Sequence, residues 1–456
     1  MAMPSAADIQ RKLIAKEEDE SQLAIYARER RTPVVTGPPM DNRIITLGDK
    51  SLLRGLLAVG EVILPEPTLT KNHKTKPETM RKTIIACTMA VCGILAPTQA
   101  YPQDSESKKE IIEAVRRTND YFMSKYNDPT LDTYVKKRRT SNLWTRAVYY
   151  EGLMALYEVD RQQRYLDYTD RWADYHGWMA RGGVEATDAD NQCCQQTYID
   201  RHIQSQLRKD LSKVKENLDY QISTHRHDYW TWIDAIQMAM PVYAKYAQLT
   251  GQPEYLDYAM KSYIWTRDTL AGGLFNKREG LWWRDKDYVP PYKEKDGNNC
   301  YWSRGNGWVY AALVRVMETL DRKDSSYKTL RRDFILMSKA LARCQREDGF
   351  WNVSLHSPAT YGGPEMTGTS LFLYGMAWGV RHGILKKKDY DAVMEKAWQA
   401  MRTCVHPDGF LGWNQGTGKD PSAGQPVTFT SVPDFEDYGT GCFMLGAIEY
   451  YRLLSE

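Results

Sequence analysis

The stretch Trp230-Thr-Trp-Ile-Asp-Ala-Ile-Gln-Met-Ala-Met-Pro241 places a single carboxylate inside an aromatic and apolar run. At helical spacing Ile233, Ile236 and Met240 fall on one apolar side, so the segment predicts a buried amphipathic helix. The carboxylate, Asp234, falls in the first turn, where the helix dipole and free N–H groups favour a negative charge. A buried helix with a carboxylate at its beginning is therefore the starting point for both fold and function.

Two interpretations of Asp234 are open from this segment alone. It is either a helix-start carboxylate or a general acid whose pKa is raised by its apolar surroundings. In the second case Trp230 and Trp232 are candidates to stack on a flat or ring-shaped ligand.

Helical periodicity recurs along the rest of the chain, with no convincing series of strands. The predicted helices cover residues 108–126, 141–159, 162–178, 191–206, 209–222, 232–249, 253–271, 305–321, 328–345, 367–383, 387–404 and 438–454. They group in pairs, which predicts an all-α fold and favours a closed (α/α)6 barrel in a single domain. A helical solenoid is the alternative, made less favourable because the pairs lack a strict repeat. The short segment Gly280-Leu-Trp-Trp-Arg284 predicts a small hairpin.

The first hundred residues stand apart from this pattern. Residues 80–100 have a basic start at Met80, a short apolar run and a small-residue end, which predicts a secretory signal peptide. The alternatives are a short buried helix or a membrane anchor, although the run is short for a bilayer-spanning helix. We therefore expect residues 1–79 to be an upstream extension absent from the mature protein, residues 101–456 to form the fold, and the product to be periplasmic or extracellular.

Charge and cysteine usage exclude several classes of partner and cofactor. The chain carries 61 Lys+Arg against 58 Asp+Glu, and this balance argues against nucleic acid or an anionic membrane as a partner. The six cysteines after residue 100 contain no Cys-x-x-Cys pair, and no histidine lies at ligand spacing, so no structural zinc site is expected. Nothing in the sequence demands a metal or organic cofactor, and it is silent on oligomeric state.

Aromatic residues favour a carbohydrate ligand. Tryptophan and tyrosine, at 14 and 30 residues, far exceed phenylalanine at 9. Many of the tryptophans fall at helix starts and in loops, where an apolar face for a sugar ring combines with a polar group for hydroxyls. The pattern predicts a sugar-binding cleft, and we expect about half of these tryptophans to touch no ligand.

Three further motifs carry chemistry, each with a structural alternative. In Asp188-Ala-Asp-Asn-Gln-Cys-Cys-Gln-Gln-Thr-Tyr198 acids and amides open a helix, and Asp188 or Asp190 could equally be an N-cap. In Tyr301-Trp-Ser-Arg-Gly-Asn-Gly-Trp308 the guanidinium of Arg304 offers a planar fork for a carboxylate, or the glycines form a tight turn. Gly363-Pro-Glu-Met-Thr-Gly-Thr-Ser370 places the hydroxyls of Thr367 and Thr369 at a helix entrance, either for substrate or for capping.

Taken in order, Trp-x-Asp-x-x-x-Met-x-x-Pro, Trp-Ser-Arg-Gly-Asn-Gly-Trp and Glu-Met-Thr-Gly-Thr-Ser resemble the unsaturated glucuronyl and rhamnogalacturonyl hydrolases of glycoside hydrolase families 88 and 105, closer to the latter. The segments Asn142–Met154, His406–Gly409 and Tyr438–Gly441 also look like family elements, and the likeness covers roughly residues 108–454. It implies an (α/α)6 barrel with a cleft at one end.

The resemblance also implies an unusual reaction and assigns roles in it. The substrates of such enzymes are polysaccharide-lyase products, such as pectic rhamnogalacturonan fragments, that end in a uronic acid with a C4=C5 double bond. Asp234 would protonate C4, and Asp190 would orient water or substrate and keep Asp234 protonated by like-charge repulsion. By the same matching Trp302, Arg304 and Trp308 would line the uronate pocket, with Arg304 binding the carboxylate.

Departures from the family pattern bear on specificity. Asp188 and Gln195 stand where many relatives carry His and Gly, and Arg284 stands where some carry His, so that it would bind a carboxylate or a sulfate. Two other functions remain open. One is an inverting glycosidase on saturated glucuronides, using Asp190 and Asp234 as acid and base. The other is a secreted glycan-binding protein without catalysis.

Overall fold

Fourteen α-helices make up most of the computed structural model within the residues it describes, 103–134, 138–205 and 208–456. In chain order they are α1 (Gln103–Lys125), α2 (Trp144–Val159), α3 (Gln163–Tyr175), α4 (Ala189–Gln192), α5 (Cys194–Gln204), α6 (Ser212–Ser223), α7 (Asp234–Thr250), α8 (Pro253–Asp268), α9 (Ser303–Met317), α10 (Ser325–Cys344), α11 (Pro358–Tyr361), α12 (Met366–Arg381), α13 (Lys387–Arg402) and α14 (Asp437–Leu453). The predicted signal peptide and upstream extension lie outside the described residues.

Six of these helices form a closed inner ring in the described part of the chain. Helices α2, α5, α7, α9, α12 and α14 each contact the next, and α14 returns to contact α2. The remaining long helices, α1, α3, α6, α8, α10 and α13, alternate with them along the chain and complete the pairs. This confirms the (α/α)6 barrel, and the closure excludes the solenoid because a solenoid's last helix would not meet its first.

Burial explains why the inner helices form. Every residue of α9 is buried, and α12 is buried from Met366 to Gly379. Such helices are apolar around most of their circumference, whereas the outer helix α10 has a one-sided buried stripe that includes Leu330, Phe334 and Met337. The two patterns follow from whether a helix has neighbours on all sides or on one.

Glycines allow the ring to close between α14 and α2. A Cβ added to Gly441 would lie 2.1 Å from the carbonyl oxygen of Val148, and one on Gly152 would lie 2.7 Å from the carbonyl oxygen of Gly441. No side chain fits at either position without moving backbone, so these helices pack backbone to backbone.

Each of the twelve predicted helical segments contains a helix, with one internal difference. The predicted helix 191–206 is divided into α4 and α5 at Cys193, which keeps helical angles (φ −53°, ψ −40°). The interruption therefore changes the hydrogen bonding more than the direction of the chain.

Three two-stranded antiparallel sheets occur among the described residues. They pair β1 (Thr133–Tyr134) with β2 (Arg138–Arg139), β3 (Phe275–Asn276) with β4 (Leu281–Trp282), and β5 (Trp351–Asn352) with β6 (Pro364–Glu365). The second confirms the predicted hairpin, with Phe275 opposite Trp282. No described helix is both long enough and apolar enough to cross a membrane.

Candidate active site

A cavity of about 230 Å³ opens at the amino ends of inner helices. Its wall contains Asp234 at the beginning of α7, Asp190 in α4 just before α5, and Trp144 at the beginning of α2. The complete lining is Arg139, Trp144, Asp190, Trp232, Asp234, Met238, Arg284, Thr417 and Gly418. Two carboxyl groups, two guanidinium groups and two indoles thus face one space, which suits a small anionic sugar.

A second cavity, of about 270 Å³, lies among the later residues of the inner helices and has a different character. Its charged groups pair with one another: Lys245 Nζ lies 2.5 Å from Asp200 Oδ1, and Arg315 Nε lies 3.7 Å from Glu151 Oε2. It presents no tryptophan to a sugar ring. The chemistry predicted from the sequence is therefore in the 230 Å³ cavity.

Asp234 is the first residue of α7 and is only 8% exposed. Its Oδ2 accepts a hydrogen bond from Arg284 Nε at 3.2 Å, and the other side of that guanidinium reaches Asp285 Oδ2 at 2.7 Å. Burial raises the pKa of Asp234, while the charges of Arg284 and Arg304 oppose the shift. The structure therefore confirms the helix-start position and the raised pKa of Asp234, while its role as a general acid stays a prediction.

Asp190 faces the same cavity from α4. Asp188 is the N-cap of this helix, and its Oδ1 accepts a hydrogen bond from the backbone N–H of Asp190 at 2.9 Å. Burial, the charge of Asp188 and the charge of Asp234 raise the pKa of Asp190 to about 7, against the opposing charges of Arg284 and Arg139. Two carboxyl groups that resist simultaneous ionisation are an arrangement suited to acid–base catalysis.

A sequence model described as Glycosyl Hydrolase Family 88 matches residues 114–454. The chain belongs to glycosyl hydrolase family 88. The predicted resemblance, the barrel fold and the assignment to the glycoside hydrolases are thereby confirmed.

Individual relatives agree with this assignment. The chain is 30% identical over 333 residues to an "Unsaturated 3S-rhamnoglycuronyl hydrolase" of Formosa agariphila, covering 68% of this chain and 84% of that protein. A protein of the same name from an Alteromonas species is 36% identical over 220 residues, covering 48% of this chain and 51% of that protein.

Solved structures give the same fold. A glycosyl hydrolase of family 88 from Bacteroides vulgatus superposes with a TM-score of 0.69 at 32% identity, covering 76% of this chain and 99% of that one. A possible member of family GH105 from Salmonella enterica superposes with a TM-score of 0.61 at 20% identity, a likeness of fold alone.

The two tryptophans beside Asp234 have different surroundings in this family 88 hydrolase. Trp232 lines the cavity, with the Arg284 guanidinium carbon 6.0 Å from its ring centroid. Trp230 is fully buried in the core, and its carbonyl oxygen accepts a hydrogen bond from Thr266 Oγ1 at 2.7 Å. The structure therefore places only Trp232 where a sugar ring can stack.

The Trp-Ser-Arg-Gly-Asn-Gly-Trp motif lies behind the cavity wall of the hydrolase. Arg304 is fully buried, and its Nη1 and Nη2 donate to the carbonyl oxygens of Gln415 and Gly416 at 2.8 and 2.9 Å. Trp302 donates from Nε1 to Gln415 Oε1 at 2.9 Å, and Trp308 packs edge-on against Trp144 with ring centroids 6.1 Å apart. The expectation that these three side chains line the uronate pocket is not supported, because their polar groups face the 415–416 loop or the core.

Thr367 and Thr369 have structural partners in the hydrolase. The Glu365 carboxylate accepts hydrogen bonds from the N–H groups of Thr367 and Gly368 at 3.0 and 2.6 Å, and from Thr367 Oγ1. Thr369 Oγ1 donates to the Glu365 carbonyl oxygen at 2.7 Å. Both threonines are fully buried, so capping, and not substrate contact, explains this motif.

Five residues of the cavity wall had no role predicted from the sequence: Arg139, Trp144, Met238, Thr417 and Gly418. Arg139, at the end of β2, stacks its guanidinium 3.9 Å from the Phe435 ring centroid and donates to Thr417 Oγ1 at 3.3 Å. Trp144 begins α2 inside a family-like segment, which was the available signal. Arg139 and Thr417 are 278 residues apart, and no local pattern connects them.

Within the described ranges, no group of three His, Cys, Asp or Glu side chains is arranged to hold a metal ion. The six cysteines of that part of the chain are unpaired thiols, five of them buried, and none lines the cavity.

The variant Asp190→Asn is expected to be more stable than the wild type at high pH. Because the pKa of Asp190 is raised to about 7 by folding, the folded state binds more protons than the unfolded state from about pH 4 upward, and the wild type loses stability as pH rises through that window. We expect the free energy of unfolding of the variant to be higher than that of the wild type by on the order of 2 kcal/mol at pH 8, and the two to differ little near pH 4. Denaturant unfolding at both pH values measures this, and an equal difference at both would contradict it.

Proposed function

We propose that this family 88 hydrolase removes a terminal 4,5-unsaturated uronic acid from oligosaccharides released by polysaccharide lyases. The observation that carries the proposal is a pair of carboxyl groups, the buried Asp234 and the half-buried Asp190, facing one cavity beside Arg284 and Trp232. A proton donor, a second carboxyl group, a cation for a carboxylate and a stacking surface are what this reaction requires.

In the proposed reaction Asp234 donates its proton to C4 of the vinyl ether, which leaves positive charge on C5 and the ring oxygen. The carboxylate of Asp234 then accepts a proton from water as the water oxygen bonds to C5. The resulting hemiketal breaks its bond between C5 and the ring oxygen, which gives a ketone at C5 and a hemiacetal at C1. The hemiacetal collapses to the C1 aldehyde and releases the leaving sugar as an alcohol. The net change is the addition of one water molecule, and Asp234 recovers its proton.

The second carboxyl group has an electrostatic role in this scheme. Asp190 lies in the same cavity and its charge raises the energy of an ionised Asp234. It is also placed to accept a hydrogen bond from the attacking water or from a sugar hydroxyl, because it lines the same cavity.

The leaving sugar is proposed to be a rhamnose that carries an anionic substituent. Two relatives bear the name unsaturated 3S-rhamnoglycuronyl hydrolase. The cavity has two arginines, Arg139 and Arg284, whereas a terminal uronate supplies one carboxylate. The second guanidinium is available for a further anion such as a sulfate ester.

The test is the ultraviolet absorbance of the conjugated C4=C5 uronate over time, with protein from Tyr101 onward. Lyase products of a sulfated rhamnose–glucuronate polymer, of pectic rhamnogalacturonan and of a glycosaminoglycan form the substrate panel. The expected result is loss of absorbance, fastest with the sulfated rhamnose–glucuronate fragment. No loss with any member would reject the proposal, and activity on an intact aryl glucuronide would then favour the saturated glycosidase.

We further propose that the enzyme is exported, on the strength of the signal-like run at residues 80–100. Expression of the full chain should yield a processed protein whose amino terminus is Tyr101. A protein that keeps residues 1–79 in its mature form would contradict both the export and the upstream-extension predictions.

A further inference from the structure

The ion pair between Arg284 and Asp234 conflicts with the role of a general acid. An acid must hold a proton when the substrate arrives, yet Arg284 Nε at 3.2 Å from Oδ2 favours the ionised form of the carboxyl group. Something must relieve the ion pair before proton transfer to C4.

We propose that Arg284 is a positioning residue released by the substrate: the uronate carboxylate takes the guanidinium away from Asp234, and Asp234 becomes protonated only in the complex. This inference rests on the proposed function, because it requires a substrate that carries a carboxylate. It assigns to Arg284 a role beyond binding, since its movement couples recognition of the uronate to activation of the acid.

The geometry favours such an exchange. Arg284 is reachable, with 19% of its side chain exposed, and it lines the cavity next to Trp232. Asp285 Oδ2 holds Nη1 at 2.7 Å, so the guanidinium has an anchor outside the pair with Asp234. Only the hydrogen bond from Arg284 Nε to Asp234 has to break. A substrate carboxylate in the cavity would replace Asp234 as the charged acceptor of that N–H group.

All charged groups around Asp234 are consistent with this role. Arg304 approaches from α9, but its Nη1 and Nη2 are fixed to backbone carbonyls and cannot follow the substrate. Asp190 on α4 opposes ionisation of Asp234, and Arg139 on β2 faces Asp190 across the same cavity. Arg284 is thus the charge beside Asp234 that a substrate is able to remove.

The free enzyme also has a place to keep a proton. The pKa of Asp190 is raised to about 7. Burial also raises the pKa of Asp234, and Arg284 opposes that shift from 3.2 Å. In this scheme the proton held by the pair at moderately acidic pH resides on Asp190 while Arg284 lies beside Asp234. Withdrawal of Arg284 raises the affinity of both carboxyl groups for protons. Activity is lost at high pH when Asp190 and Asp234 together lose this proton, and we call this loss the basic limb of the pH profile. The basic limb should lie at higher pH in the complex than in the free enzyme.

The test compares pH profiles of kcat/KM, which report the free enzyme, with those of kcat, which report the complex. In the wild type the basic limb of kcat is expected about one pH unit above that of kcat/KM. In Arg284→Gln the limb of kcat/KM should move up to meet the limb of kcat, together with a higher KM. A merely structural role would lower activity without moving the limb.

Two matched variants complete the experiment. Arg284→Lys keeps the charge and should keep the separation between the two limbs in part. Asp285→Asn leaves the guanidinium beside Asp234, so its kcat/KM limb should not move upward. Coincident limbs in the wild type, or an unmoved limb in Arg284→Gln, would overturn the inference while leaving the proposed function intact. Absence of turnover on every unsaturated uronide would instead reject the proposed function itself.

Discussion

Asp234→Asn is expected to lower kcat by roughly a thousandfold, within the range that a positioned general acid contributes. The amide is nearly isosteric with the carboxyl group but has no proton of suitable acidity to give to C4, and it cannot recover one from water. Because the side chain is buried at the beginning of α7, its replacement by a neutral group of the same shape should not unfold the protein.

The measurement is the loss of uronate absorbance under single-turnover and steady-state conditions, with substrate binding followed by calorimetry. The expected pattern is a collapse of kcat with binding retained. Asp287→Asn serves as the matched control, because Asp287 is an exposed carboxylate in the segment that follows Arg284 and does not line the cavity. Full activity in Asp234→Asn would remove this residue from the mechanism and leave it a helix-start carboxylate.

The helices were predictable because each of them buries one face or its whole surface. Buried positions are apolar, so apolar residues recur in the sequence at helical spacing. The inner ring illustrates this: α9 and α12 are buried nearly throughout, and both fall within predicted segments. The closing contact between α14 and α2 depends instead on the absence of side chains at Gly441 and Gly152. Periodicity does not reveal which helices will meet there.

The site was predictable only where a single segment determines the environment of its residue. Asp234 and Asp190 are both placed by the helices that begin near them, and both face the cavity. Trp230 and Trp232 are two residues apart in the non-helical approach to α7, and one faces the core while the other faces the cavity. Their spacing is typical of an extended segment with alternating sides, but sequence alone does not say which side is which.

The role of Arg304 was not predictable, because it depends on hydrogen-bond acceptors that lie far away in the sequence. The guanidinium fork was predicted to bind the uronate carboxylate, but the acceptors of its Nη1 and Nη2 are backbone carbonyls 111 and 112 residues further along the chain. Those carbonyls belong to the loop that carries Thr417 and Gly418 into the cavity wall. This loop has no hydrophobic periodicity, so the sequence does not predict that it packs against the beginning of α9.

Arg304→Met is therefore expected to act on stability and on the shape of the cavity together. The substitution removes two charge-assisted hydrogen bonds and loses the stacking of the guanidinium over Trp302 and Tyr438. The carbonyl oxygen of Gly416 loses its Arg304 donor, and that of Gln415 keeps only the hydrogen bond from the Tyr438 hydroxyl. We expect a loss of about 3 kcal/mol in the free energy of unfolding. Displacement of Thr417 and Gly418 should also raise KM by more than kcat falls.

The matched variant is Arg304→Lys, which keeps the charge but has one ammonium where the fork reaches two carbonyls. It should recover part of the lost stability and part of the increase in KM, because both effects pass through the same loop. If Arg304 instead bound the substrate carboxylate, KM would rise steeply while the free energy of unfolding stayed at the wild-type value. Chemical denaturation and steady-state kinetics on the same preparations separate the two cases, since a positioning residue must move both quantities in parallel across the series from arginine through lysine to methionine.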